Sequence, residues 1–270
     1  MNFIAFSLGN LNVYWYGLII CTAIILGLII TKLNTMIYHE DFAHIITLMI
    51  WAIPCSVLGA RAIYVLQHFD TYRENISSIF ALSQGGLSIY GALIGFFAVL
   101  FFYLKRHKLA IYRWLDILVP AIILGIAILQ IGNFMLQLSI GTPIGFDVPN
   151  DHKLAEYVEF EYRPSGFEGY QYFKPVAFYL SMANFALFIL AVVFTLLNKW
   201  LKFLSDGTIF LGSIFCIALF RFIFGFMYLT LNKDVFLECE QWIALIVMIF
   251  IAILYFTKRF LNAKSKKASV

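Results

Sequence analysis

Seven apolar runs, at about 13–31, 42–66, 86–104, 114–135, 176–198, 207–229 and 241–257, dominate this 270-residue sequence. Each is long enough to cross roughly 30 Å of hydrocarbon as an α-helix, the conformation that satisfies its own backbone where no water is present. The composition points the same way: 62% of residues are hydrophobic, 18% aromatic and 13% charged. An ordinary soluble domain is about 45–50% apolar and about 25% charged, so a soluble globular fold is excluded. Twenty-nine Phe and 15 Tyr exclude disorder, because their burial outweighs the entropy of ordering the chain. The expected fold is all-α: a polytopic membrane protein of about seven transmembrane helices, with residues 1–270 forming a single integral membrane domain.

The connections between runs alternate in basic content. Lys32, the cluster Lys105, Arg106, Lys108 and Arg113, the pair Lys199 and Lys202, and the tail Lys258, Arg259, Lys264, Lys266 and Lys267 fall on one side. Only Arg73, Lys153, Arg163, Lys174 and Lys233 fall on the other. The positive-inside rule then sets the N-terminus outside and the C-terminus in the cytoplasm. The one long connection, 136–175, carries Asp147, Asp151, Glu156, Glu159, Glu161 and Glu168 and reads as an acidic extracytoplasmic cap, either functional or a solvated surface loop. Residues 1–12 hold no Lys or Arg, and the run after them outlasts a signal core, so it reads as a retained span. Cys21, Cys55, Cys216 and Cys239 have no metal or CxxC spacing, and neither do the five His; no metal, cofactor or nucleic-acid partner is expected.

Two arginines stand inside apolar runs. An ionised side chain there costs at least about 2.5–3.5 kcal/mol, so Arg61 and Arg221 are expected to face a protein interior, a watery cavity or a phosphate. Arg61 has snorkelling as its alternative, being close to the outer end of its run; Arg221 lies near the middle of run 207–229. Guanidinium suits bidentate phosphate binding. Gly85, Gly86, Gly91 and Gly95 crowd the outer end of the third run, where missing side chains admit close approach of another helix or a headgroup. Gln130, Asn133 and Gln137 stand where the fourth run emerges and either bind an ester or phosphate or satisfy the helix end. Asp116, beside the basic cluster, reads as a structural partner rather than a catalyst.

The ordered motifs resemble those of the prolipoprotein diacylglyceryl transferase family over most of the chain. Tyr14-Trp15-Tyr16-Gly17-Leu18 resembles its opening segment, and Gly59-Ala60-Arg61 with Tyr64-Val65 its Gly-Gly-Arg and Tyr-Val. The stretch from Gly85 to Gly95 is similar to the signature Gly-Gly-x-Ser-x-His-Gly-Gly-Leu-Ile-Gly; Gly132-Asn133-Phe134, Gly141, Pro175 with Tyr179, Phe220-Arg221 and Gln241-Trp242 follow in order. The resemblance implies transfer of a diacylglyceryl group from phosphatidylglycerol to a lipobox Cys thiol, in a bacterial plasma membrane. Its implied partners are phosphatidylglycerol, prolipoprotein signal peptides and membrane lipid. The implied catalytic residues are Tyr90 and Arg221, and the implied lipid-binding residues Arg61, Gly85, Gly86, Gly91, Gln130, Asn133 and Gln241.

The chain departs from that pattern at polar positions. Tyr90 stands for His, Gln130 for Arg, Leu136 and Leu138 for Asn and Glu, and Lys174 and Leu180 for the ends of His-Pro-x-x-x-Tyr-Glu. Gly225 and Tyr228 stand for a Glu and a second Arg after Arg221. A phenol is a weaker base near neutrality than an imidazole. The alternative is therefore a non-catalytic lipid- or lipoprotein-binding relative of the family, and a small transporter would need a polar path that these runs hardly supply.

Overall fold

The computed structural model describes residues 4–8, 11–73, 79, 86, 88–145, 155–229 and 237–268. A hairpin of β1 (Ile4–Leu8) and β2 (Leu11–Tyr14) leads into α1 (Trp15–Tyr38), followed by α2 (Ala43–Gln67), the short α3 (Phe69–Arg73), α4 (Ile89–Arg106) and α5 (Ile111–Met135). Strands β3 (Pro143–Gly145), β4 (Glu156–Tyr157) and β5 (Tyr172–Phe173) form an antiparallel sheet in the order β3-β5-β4. Helices α6 (Val176–Leu201), α7 (Thr208–Gly225) and α8 (Cys239–Ala268) complete the chain.

Among the described residues six helices, α1, α2, α5, α6, α7 and α8, are long and apolar enough to cross a membrane. The expected seventh crossing falls on α4, whose 18 residues end in Lys105 and Arg106. It runs antiparallel along α2, from Gly91 against Gly59 to Tyr103 against His44. The lipid-facing surface is apolar, as on α1 with Ile25, Ile29 and Leu33 and on α8 with Ile246, Phe250 and Ile253. The protein is therefore a multi-pass membrane protein.

The packing divides into two units, Thr35–Trp114 and the remainder, Met1–Asn34 with Leu115–Val270. In the larger unit α5 is the hub: Val119 and Ile123 pack with Leu187 and Ala191 of α6 and Ile209 of α7. Polar side chains on these buried faces spend their donors on backbone, the arrangement that hydrocarbon demands. Asn34 donates to the Ile117 carbonyl at 2.9 Å and Ser181 to that of Ala127 at 2.9 Å, tying α1 and α6 to α5. Asp116 accepts the backbone N–H of Gly207 at 2.5 Å and of Phe210 at 2.8 Å, capping α7 from another helix. Lys258 donates to the Asp206 carbonyl at the same end. Asp116 is thus a structural partner, and its partner is a helix N-terminus.

The cap is built on the three-stranded sheet β3-β5-β4. Arg163 donates to the carbonyls of Val158 at 3.0 Å and Glu168 at 2.7 Å, closing the loop on itself. Of the expected acidic cap residues, Asp147 and Asp151 lie outside the described residues.

Candidate functional site

In the smaller unit the Arg61 guanidinium is 5% exposed and turned into the protein. It donates from Nε to the Ile79 carbonyl at 2.8 Å and from Nη1 to the Gly86 carbonyl at 3.0 Å. Its charge lies 5.1 Å from the Tyr72 ring centroid and 6.0 Å from that of Tyr64. Arg61 does not snorkel: it spends these donors on the carbonyls of Ile79 and Gly86. Gly86 has φ +74, and a Cβ there would meet Tyr64 and Arg61 Nη1, so this residue type is required on both counts. Gly85 lies outside the described residues.

Ser88 N–H then donates to the Ala60 carbonyl at 3.0 Å and α4 begins. Gly91 and Gly95 press against the backbone of Gly59 and Cys55, where any Cβ would collide with a carbonyl. The Gly91-x-x-x-Gly95 spacing therefore serves helix–helix contact, the packing reading of the glycine-rich stretch. Tyr90, between these anchors on the first turn of α4, remains 44% exposed. It directly precedes Gly91, the first glycine of the α2–α4 contact.

At the opposite end of this unit, His44 Nδ1 lies 3.0 Å from the Tyr103 hydroxyl, with the His107 and Trp114 rings at 5.5 and 5.6 Å. The sequence scatters these residues; the antiparallel α2–α4 pair and the first turn of α5 bring them together.

In the larger unit Arg221 stands one turn before the end of α7, because the helix stops at Gly225 and not at the expected end of the run near 229. The mid-span position is thereby corrected: the guanidinium emerges at the helix terminus. Its Nη1 lies 3.4 Å from Glu240 Oε2 on the first turn of α8, and the two side chains are 38% and 56% exposed. The sequence places Arg221 toward a protein interior, a watery cavity or a phosphate; the structure gives it a carboxylate instead, Glu240, and this pairing weighs against Arg221 as a free phosphate-binding cation. Tyr228 follows the helix end and lies within electrostatic reach of both Arg221 and Glu240.

Gln241 is 3% exposed, and its amide is engaged by backbone. Oε1 accepts the Glu238 N–H at 3.0 Å, and Nε2 donates to the Phe222 carbonyl at 3.4 Å. A Cβ on Gly225 would meet Gln241 Cγ at 2.6 Å, so glycine admits the α8 amide where a side chain would exclude it. Gln241 therefore joins the end of α7 to the start of α8.

The cap rests beside this end of α7. Gly141 bridges Tyr228, Thr142 N–H donates to the Met227 carbonyl at 2.9 Å, and Lys174 N–H donates to the Thr142 carbonyl at 3.1 Å. Gln130 and Asn133 lie in the last two turns of α5, where Asn133 Nδ2 donates to Gln130 Oε1 at 3.2 Å. Gln137 Nε2 reaches the Tyr157 carbonyl of the cap at 2.7 Å. Glu156 faces the same side of the sheet as its register partner Phe173, which is fully buried. Its two carboxylate oxygens are buried without a hydrogen-bond partner among the described residues, and desolvation raises the group to a pKa of about 7.

The profile of the family described as prolipoprotein diacylglyceryl transferase matches residues 3–257. The chain belongs to the prolipoprotein diacylglyceryl transferase family. A phosphatidylglycerol–prolipoprotein diacylglyceryl transferase of Clostridium botulinum (strain 657 / Type Ba4) is 35% identical over 222 residues, covering 82% of this chain and 84% of that protein. Proteins of the same description from Listeria monocytogenes and Prochlorococcus marinus are 30% and 31% identical, each over 81% of this chain and over 76% and 75% of their own lengths. Within the prolipoprotein diacylglyceryl transferase family, this member carries Tyr90, Gln130 and Gly225 on the geometry described above.

Proposed function

We propose that this chain transfers the diacylglyceryl group of phosphatidylglycerol to the thiol of a lipobox cysteine in a prolipoprotein signal peptide. The observation that carries the reading is the family match over residues 3–257; Arg221 adds a partly exposed cation at the end of α7, which a headgroup phosphate has to share with Glu240. A fixed cation at the edge of the apolar layer suits a headgroup phosphate. Family membership supplies the reaction class.

In the proposed step the cysteine sulfur attacks the glyceryl carbon that bears the phosphate. The carbon–oxygen bond breaks, its electron pair leaves with glycerol phosphate, and the thiol proton passes to a base. Arg221 stabilises charge on the departing phosphate, the role in which a preorganised cation contributes most. Tyr90, exposed on the first turn of α4, is the proposed group beside the thiol and takes its proton only in the phenolate form, becoming the neutral phenol. The proposed lipid contacts are Gln130 and Asn133 in the larger unit and, separately, Gly86 and Gly91 in the smaller one. Arg61 holds the Gly86 carbonyl and Gln241 holds α8 on α7, each through contacts to backbone. The proposed location is the bacterial plasma membrane, with the N-terminus outside and the C-terminal tail in the cytoplasm.

The test uses the full-length protein in vesicles containing phosphatidylglycerol, incubated with a lipobox peptide and followed by mass spectrometry. A peptide heavier by one thioether-linked diacylglyceryl group, absent when the lipobox Cys is replaced by Ser, is the expected product. Retained lipid binding without any such product overturns the transferase reading in favour of a non-catalytic lipid- or lipoprotein-binding protein.

A further inference from the structure

The Arg221 contact assigns a role to a residue that the family resemblance leaves unnamed. Glu240 opens α8 and is separated from Arg221 by the connection between α7 and α8, yet its carboxylate Oε2 lies 3.4 Å from Nη1. The neighbouring residues explain how it arrives there. Gly225 leaves the last turn of α7 bare, and Gln241 fills the space a side chain would occupy, with its amide bonded to the Phe222 carbonyl and the Glu238 N–H. The first turn of α8 is thereby fixed against the last turn of α7, and the residue preceding Gln241 is brought to the guanidinium.

A guanidinium carries five donors in a rigid fork, so the Glu240 carboxylate at Nη1 and the neighbouring Tyr228 hydroxyl together still leave N–H groups for a second anion. Glu240 is also 56% exposed, which keeps the contact at the surface where a headgroup arrives. We propose that Glu240 is a positioning residue for phosphatidylglycerol cleavage: it orients the Arg221 fork so that the remaining edge meets the departing phosphate. This rests on the transferase reading above.

The experiment compares wild type, Glu240→Gln and Glu240→Asp as full-length proteins in phosphatidylglycerol vesicles with a lipobox peptide, reading kcat and KM separately. A misdirected fork slows chemistry more than it weakens binding, so Glu240→Gln is expected to lower kcat by about ten- to a hundredfold with KM for phosphatidylglycerol changed by less than about threefold. Glu240→Asp, which keeps the charge, recovers part of the loss. In an Arg221→Ala background Glu240→Gln has almost no further effect, whereas a purely structural role would multiply the two losses.

Unchanged kcat in Glu240→Gln overturns the proposal. So does a lower KM with full kcat, which makes Glu240 a competitor of the phosphate. If Glu240→Gln does not fold, Glu240→Asp decides alone: a kcat several-fold below wild type at unchanged KM supports the role, and wild-type kcat overturns it. Failure of the wild type to form thioether product defeats the transferase reading as well, so the two failures are distinct.

Discussion

Arg61 and Arg221 carry the same charge within apolar runs and are used in opposite ways. Arg61 is buried and directs its donors to the carbonyls of Ile79 and Gly86, so it organises backbone. Arg221 meets a carboxylate at the end of a helix and stays partly exposed, which suits an exchangeable anion. Glu156 presents the reverse problem, a carboxylate without a partner among the described residues, raised from 4.5 to about 7 by burial in the cap. Below about pH 4.5 it is neutral in both the folded and unfolded chain and has no effect. As pH rises from 4.5 towards 7 the unfolded chain ionises first and stability is lost; above 7 the loss is complete. Glu156→Gln should therefore stabilise the cap at pH 8 by an amount on the order of 2 kcal/mol and flatten the slope between pH 5 and 7. Thermal unfolding followed across that range checks it, and parallel slopes for variant and wild type would contradict the burial argument.

Among the elements, the α2–α4 seam is the most demanding. Gly59, Gly91 and Gly95 bring the two backbones so close that no side chain fits, and Tyr90 directly precedes Gly91. Gly91→Leu should force the helices apart at a cost of about 3 kcal/mol or more and remove transfer activity. Loss of folded protein in size-exclusion chromatography is the expected result, and a normal elution profile with normal activity would contradict the packing. The seam was legible in sequence because Gly-x-x-x-Gly in an apolar run has one common physical meaning. The apolar runs were legible too, since hydrocarbon thickness fixes their length. The end of α7 was not: Phe226 and Met227 extend the apolar run, but the chain turns there to pair with the cap. Glu240 and Gln241 were equally hidden as partners of α7, because their contacts cross a connection whose path the sequence does not encode. Glu156 left a faint sign in Glu156-Tyr157-Val158, where a period of two sets Glu156 and Val158 inward. Nothing local separated it from the other acidic residues of the cap.

At the scale of the whole molecule, the proposed orientation follows from where basic residues gather. Lys258 shares one end of the larger unit with Asp116 and Asp206, while the cap, Arg221 and Glu240 share the other. A single cysteine introduced at Ser165 of the cap, in a background with the native cysteines replaced by Ser, should react with an impermeant maleimide added outside intact cells; reaction only after permeabilisation would reverse the proposed topology. Through both units the polar residues that remain are concentrated at helix ends and on backbone contacts, which leaves few side chains to carry chemistry. Arg221 therefore bears most of the account. The direct measurement is the kcat/KM of Arg221→Ala with phosphatidylglycerol vesicles and a lipobox peptide. Loss of the phosphate contact predicts a fall of about 10²–10³-fold, with Arg221→Lys recovering only part of it. Turnover by Arg221→Ala at the wild-type rate would contradict the assignment of that guanidinium to the headgroup phosphate.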